Sequence, residues 1–357
     1  MNRKSWAFFF TFFLSFTIST FADELKVVTI NVWSGLDYEG TLKMGEYEPK
    51  DVRKGRYRLL VDELKRIDPD IIGINEANRL PRYARRLARD LGMNFIYSVG
   101  MGGIKIGCIG LPVNFREGDA ILAKKKYNLK FLGRKRLSGG GIINNLFTFH
   151  FSEANQVMGG FIKVSGKYVY IFNTHTHSSP PGDEDFTDRL VDLHNDGRIT
   201  EEELKKAKDV VIEGAQWRND EIRGVLLWIS EIVPDDAPVI LLGDFNAEAG
   251  SEEMKQVFKA GFIDTFRVKN PKLPGYTWDP VNNLNNQTYY SRLNEDTEQG
   301  EIAGKLGDFL QKRIDFIFIS GSLSADDVAE SSVIFDRAEG GQNLSDHYGV
   351  LSVIRIE

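Results

Sequence analysis

The feature that most constrains the fold is a series of short apolar, β-branched runs spread along the chain, nearly all ending in a polar cluster. Val27-Val28-Thr29-Ile30 leads into Asn31, and Ile71-Ile72-Gly73-Ile74 into Asn75-Glu76. Val169-Tyr170-Ile171-Phe172 leads into Asn173-Thr174-His175, and Val239-Ile240-Leu241-Leu242-Gly243 into Asp244 and Asn246. Asp315 lies inside the run 313–319, and Asp346-His347 precede the last run. Runs of this kind predict strands at 25–32, 70–74, 120–122, 160–164, 168–174, 239–242, 313–319 and 348–356. Helical spacing is clearest over 56–67, 83–91, 201–211 and 217–232. Strands and helices interleave with no Pro- or Ser-rich linker, which predicts one α/β domain. Polar residues at strand ends of such a sheet converge on one rim, where α/β folds place their sites. Any one of these clusters could be a turn or cap; six in an ordered series point to a site.

The N-terminus predicts export. Arg3 and Lys4 precede an uncharged, Phe-rich stretch over 6–21, then Thr20 and Ala22 stand where a signal peptidase cuts. The expected leader is 1–22, with a mature domain 23–357 that is secreted or periplasmic; the stretch is short for a membrane span. Losing Arg3 and Lys4 moves the formal charge from -6 to -8. Such a surface exerts no general pull on nucleic acid or anionic membrane, although it leaves room for a nuclease that works through a bound cation. Cys108 is the only cysteine, so no intramolecular disulfide forms and the core alone must hold the fold.

With their flanking residues, these clusters form recognisable motifs. Thr29-Ile30-Asn31-Val32-Trp33, Asn75-Glu76, Asn173-Thr174-His175, Gly243-Asp244-Phe245-Asn246, Arg313-Ile314-Asp315-Phe316-Ile317 and Ser345-Asp346-His347 resemble the ordered motifs of the endonuclease/exonuclease/phosphatase superfamily, which includes deoxyribonuclease-I-like and sphingomyelinase-like proteins. The resemblance implies a four-layer α/β/β/α sandwich of two packed mixed sheets, and a metal-dependent phosphoester hydrolase. Arg218 and Glu221 resemble the family's Arg-x-x-Gln helix with Glu in place of Gln, and Asn75 stands where the family usually carries Gln.

Phosphodiester hydrolysis needs a positioned water, offset of charge on the phosphoryl oxygens and help for the leaving oxygen. Glu76 offers a hard carboxylate for Mg²⁺ (or Mn²⁺) and Asn31 a neutral oxygen ligand; few protein ligands suffice because the ion keeps most of its waters. His347 paired with Asp315 is an imidazole of fixed tautomer. By resemblance, Asp244 orients or deprotonates the attacking water, Asn246 positions water and phosphate, His175 hydrogen-bonds a phosphoryl or leaving oxygen, and Asp346 assists the metal. Either Asp244 or His347 would be the base. His177 would share a strand face with His175, and either widens the site, binds a second metal or simply marks the strand exit.

A second metal motif occupies 192–203, inside a charged insertion at 178–213. Asp192, His194, Asp196, Arg198, Thr200 and Glu203 fall at the ligand positions of an EF-hand loop, with Gly197 at the turn and Ile199 as apolar anchor. Ca²⁺ is the ion expected there, bound weakly because an imidazole replaces an oxygen at the third position.

The resulting expectation is an exported phosphodiesterase acting on a phospholipid headgroup or small phosphodiester, with transient membrane-surface contact if the substrate is lipid. Residues 102–113, inside the Gly-rich segment 100–118 and carrying Ile104, Ile106, Ile109 and Leu111, are the candidate membrane hairpin or equally a packed loop. A secreted nuclease is the alternative, less favoured by the charge. A non-catalytic calcium-dependent binding protein and an adhesive module are the readings from other classes. No protein partner is implied. The two sequons, at Asn286 and Asn343, are treated as chance matches.

Overall fold

The computed structural model describes residues 23–37, 46–101, 103–106, 109–110, 116–139, 142–143, 147–150, 155–180, 184–286, 302, 304–306 and 310–356. The expected leader, much of the candidate membrane hairpin and most of the polar segment 282–307 lie outside the described residues.

Two six-stranded sheets form the body. The first contains β1 (Asp23–Asn31), β2 (Ile71–Asn75), β3 (Met93–Met101), β4 (Glu117–Lys124), β11 (Val328–Ile334) and β12 (Gly349–Ile356), in the order β11-β12-β1-β2-β4-β3. The second contains β5 (Lys130–Arg136), β6 (Gln156–Val164), β7 (Lys167–His175), β8 (Val239–Asp244), β9 (Ile263–Asp264) and β10 (Asp315–Ser320), in the order β9-β10-β8-β7-β6-β5. β1 runs parallel to β2 and β7 parallel to β8, while the remaining pairings in these two sheets are antiparallel, so both are mixed.

Strand alternation builds the layers. Val27, Ile71, Ile171, Leu242, Ile317 and Ile354 point between the sheets and form the central core. Their neighbours Val28, Ile30, Ile72 and Ile74 point outward onto helices α1 (Lys50–Ile67) and α2 (Arg82–Leu91). Phe172, Leu241, Phe316 and Phe318 face the other way, against α4 (Glu201–Ile232) and α5 (Glu252–Lys259). The result is the expected α/β/β/α sandwich. Each expected strand is present with shifted ends. Edge strands β3, β5 and β11 were not foreseen: β5 has no buried residue among its seven, so it shows no period-two pattern.

The expected helices over 201–211 and 217–232 are one helix, α4. Gly214 does not break it. A Cβ there would lie 1.7 Å from Ser179 Oγ, so the glycine admits close approach of the segment after β7. Helices α3 (Glu184–Asn195) and the start of α4 build a satellite core from Phe186, Leu190, Leu193, Ile199 and Leu204, joined by Leu306 and Leu310. A short helix α6 (Thr265–Lys269) follows β9.

Candidate active site

Strand register sets out the site. Asn31 pairs with Asn75 across the first sheet. In the second, His175 pairs with Asp244, and Asp244 with Asp315, so three polar groups stand abreast at one sheet end. Gly73 lets the sheets close near this rim: a Cβ there would lie 1.9 Å from Leu242 Cδ1. Gly243, with φ 134° and Thr174 O 2.0 Å from where a Cβ would be, fits no other residue and delivers Asp244 to the seam.

Asp244 is the hub. Its Oδ2 accepts from Asn31 Nδ2 at 3.1 Å and lies 3.7 Å from both His175 Nε2 and His347 Nε2. Its Oδ1 accepts from the backbone N–H of Asn246 at 2.9 Å, and Asn246 Nδ2 donates to Thr176 O. Asn31 Nδ2 also donates to Glu76 Oε1 at 2.8 Å. His347 Nδ1 is 2.9 Å from Asp315 Oδ2, and the Trp278 ring stands edge-on to the imidazole with centroids 4.9 Å apart. Thr277 Oγ1 accepts from the N–H groups of Ile314 and Asp315, fixing the start of β10. Ser345 Oγ donates to Asn31 O at 2.7 Å, tying the loop that carries Asp346 and His347 to the end of β1. Thus Asn31, Glu76, His175, Asp244, Asn246, Asp315, Asp346 and His347 all meet at one rim. Glu76 and Asn246 leave their strands with φ of 56° and 46°, conformations that cost a non-glycine residue about 1–2 kcal/mol and collect at functional sites.

The electrostatics follow from crowding. Burial works to lower the His347 pKa, but Asp315, Asp244 and Asp346 outweigh it and push the imidazole up to about 10. Burial, with Glu76 nearby, raises Asp346 to about 6 against the opposing charges of His347 and Arg56. Fully buried Asp315 keeps Oδ1 without a hydrogen-bond partner. Among the described residues Asp244, Asp315 and His347 are the one His/Cys/Asp/Glu group whose ligand atoms lie within 4.8 Å of one another. Carboxylates outnumbering the nearby cations, with hard oxygen donors on Glu76 and Asp346, fit a divalent ion such as Mg²⁺. Asn31 Oδ1 accepts from the Trp33 N–H at 3.0 Å, so turning the amide over to offer its oxygen to an ion would cost that bond.

Several supporting residues escaped sequence reading. Asn75 does not face the site: its Nδ2 donates to Asp119 Oδ1 at 2.8 Å and Thr174 O at 3.0 Å, and its Oδ1 accepts from Asp244 N at 3.2 Å. Gln156 donates to the second Asp119 oxygen. Burial raises Asp119 to about 6 against these bonds. Arg56 donates to Val32 O and Leu344 O, joining the two loops on the first-sheet side. Arg218 is wholly buried, pairs with Glu253 at 2.9 Å and donates to Ser179 and Pro180, while Glu221 accepts from His177 N at 2.7 Å. The Arg-x-x-Glu helix face therefore holds the segment after His175. The sequence signals for these residues were Asn75 in the Asn75-Glu76 motif and Arg218 with Glu221.

The structure does not support the calcium loop. α3 continues through Asn195, so Asp192 and His194 lie in a helix instead of a ligand loop. His194 Nδ1 lies 3.2 Å from Ile199 O and its Nε2 3.1 Å from Glu201. Glu203 accepts from Thr200 N while Thr200 Oγ1 accepts from Glu203 N, a capping box that starts α4. Asp192, Asp196 and Glu203 form no carboxylate cluster. The same spacing that suggested a cation site codes for a helix stop at Gly197 and a helix start at Thr200. Ile199 is buried as expected, whereas Arg198 donates to Lys305 O.

A sandwich with an Asp–His pair and a ring of carboxylates at one rim defines a phosphoester hydrolase class. The chain belongs to the endonuclease/exonuclease/phosphatase family, whose model matches residues 28–347. Its members are metal-dependent phosphoester hydrolases, and this chain is one of them. It is similar in fold to Danio rerio TDP2 complexed with a single-strand DNA product, at 18% identity and TM-score 0.56, over 92% of this chain and 98% of that one. It is similar to truncated Caenorhabditis elegans TDP2 at 16% identity and TM-score 0.58, over 93% and 97% of the two chains. An endonuclease/exonuclease/phosphatase protein of Bacteroides vulgatus matches at 16% identity and TM-score 0.57, over 94% and 100%. No curated protein matches.

Proposed function

We propose that this chain is an exported phosphodiesterase that hydrolyses a small phosphodiester or a phospholipid headgroup by water attack on phosphorus. The observation that carries it is Asp244 Oδ2 set 3.7 Å from two imidazoles, with Asn31 on its third side. Glu76 and Asp346, with Asn31, would hold a divalent ion, which would supply positive charge to offset the phosphoryl oxygens.

The chain's own residues do the rest. Asp244 orients the water and takes its proton as the water oxygen bonds to phosphorus; it alone reaches both imidazoles and Asn31. Asp315 fixes the His347 ring, leaving Nε2 toward Asp244 and the phosphate. As the bond to the leaving oxygen breaks, His175 donates the proton that oxygen needs. Asn246, anchored on Asp244 and Thr176, holds the phosphate against this face.

The acidic charge of -6 and the acidic rim support a small or lipid-borne ester over a polynucleotide, which rewards basic grooves. The likeness to TDP2 bound to a DNA product favours a nuclease as the second reading. Sphingomyelin, phosphatidylcholine, single-stranded DNA, plasmid DNA and bis-p-nitrophenyl phosphate, each with Mg²⁺ and with EDTA, separate the two. Metal-dependent turnover of the choline lipids or the small ester, lost in His347→Ala, is expected. Turnover confined to DNA would replace the reading with a nuclease. Export is tested by N-terminal sequencing of the secreted chain, which should begin at Asp23.

A further inference from the structure

Trp217 is 45% exposed although it directly precedes Arg218, which is wholly buried. Its ring meets the His177 imidazole with centroids 6.2 Å apart and planes tilted by 39°. His177 is fixed there by its N–H, which donates to Glu221 at 2.7 Å, one helical turn beyond Trp217. Two residues of extended chain, roughly 7 Å, separate it from His175 in the catalytic cluster. One turn before Trp217 on the same face stands Glu213, exposed and near enough to act electrostatically on His177. Arg218, the nearby cation, has its charge met by Glu253 at 2.9 Å.

We propose that Trp217, His177 and Glu213 form a subsite for a quaternary ammonium group on the substrate phosphodiester. This deepens the phosphodiesterase reading and rests on it. Aromatic faces attract such cations through their quadrupoles, and a carboxylate at the edge adds charge. Half-burial lowers the His177 pKa, so the imidazole stays neutral at pH 7 and does not repel the guest. A nucleobase would stack on Trp217 equally well but would gain nothing from Glu213, which places the cation first. Trp217 is thereby a specificity residue: it touches the headgroup and not the reacting phosphorus.

The test uses esters with one leaving group: p-nitrophenylphosphorylcholine, methyl p-nitrophenyl phosphate and thymidine 5′-p-nitrophenyl phosphate. Trp217→Ala should raise KM for the choline ester about 5- to 30-fold at unchanged kcat, leave the methyl ester unaffected, and be largely rescued by Trp217→Phe. Glu213→Gln should raise the same KM by about 2- to 5-fold, an effect that shrinks in high salt. Equal KM changes for choline and methyl esters, or none, would overturn the subsite, as would dependence on Trp217 confined to the thymidine ester. Choline chloride should also quench tryptophan fluorescence in the wild type and not in Trp217→Phe. That signal is independent of turnover. Quenching without hydrolysis of any ester would uphold the subsite and discard the phosphodiesterase reading, whereas hydrolysis without quenching would do the reverse. Comparing vesicular phosphatidylcholine with soluble glycerophosphocholine then shows whether the headgroup is met on a lipid surface or free.

Discussion

Asn75 offers the sharpest test of how the two sheets hold the site. Its amide lies at the seam and is fully buried, donating to the Asp119 carboxylate at 2.8 Å and Thr174 O at 3.0 Å and accepting from Asp244 N at 3.2 Å. Asn75→Ala removes these three bonds and a longer fourth one, at 3.3 Å to Asn173 Oδ1, and leaves a carboxylate, a carbonyl and an N–H short of a partner. A hydrogen bond to a charged group contributes about 1.5–3 kcal/mol and each neutral one about 1, so the expected loss is about 3–5 kcal/mol. Urea unfolding at pH 7 should show a midpoint lowered by about 1 M or more. Because one bond anchors the backbone of Asp244, kcat should also fall while the variant is still folded in low denaturant. Asn75→Gln restores the amide but forces a methylene into packed space, at about 1–3 kcal/mol. A loss under about 1 kcal/mol for Asn75→Ala, with kcat unchanged, would show that the seam does not position Asp244.

Other outcomes follow from single contacts. Asp315→Asn, which releases the His347 tautomer, should lower kcat by about 10²- to 10⁴-fold with little change in KM. Arg218→Ala strands buried Glu253 and should cost about 3–5 kcal/mol in equilibrium unfolding. In EDTA, His347 contributes stability that is fully present below about pH 6.5, its ordinary value, and is lost as pH rises toward about 10; unfolding curves of wild type and His347→Gln should differ in slope across that window and not below it. Glu203→Gln should weaken the α4 cap only slightly, and Ca²⁺ at constant Mg²⁺ should leave the Tm of both forms unchanged.

The rim was readable in the sequence because strand ends write themselves as an apolar run followed by a polar group, and sheet geometry then sends such groups to one edge. His175 and Asp244 could be listed on that ground alone, while Asp315 read as lying inside its run; that the three stand abreast depends on pairing register, which no local pattern carries. The supports were illegible for a related reason. Asp119 and Gln156 stand just before the apolar stretches of β4 and β6 and carry no motif, yet they satisfy Asn75 and Ser98 between the sheets. Glu253 reads as the acidic first turn of a surface helix, yet it neutralises a wholly buried arginine 35 residues away.

The loop at 192–203 was ambiguous for the opposite reason, since a strong local pattern had two physical meanings. An acidic helix end, a glycine and a Thr-x-x-Glu start are the grammar of a helix–turn–helix connection, and they are also the grammar of an EF-hand. In the structure Glu203 is engaged with Thr200, and His194 lies beside Ile199 O and Glu201, contacts that stabilise the turn as a helix connection. The connection starts α4, which four turns later carries Trp217, Arg218 and Glu221 to the segment after His175, where the buried Arg218–Glu253 pair holds it. Lengthening the 196–199 turn by one residue should rotate nothing beyond Gly214, because Arg218 and Glu253 fix the helix independently, and kcat should hold. A loss of kcat as large as that of Arg218→Ala would show that α4 is positioned from its N-terminal end instead.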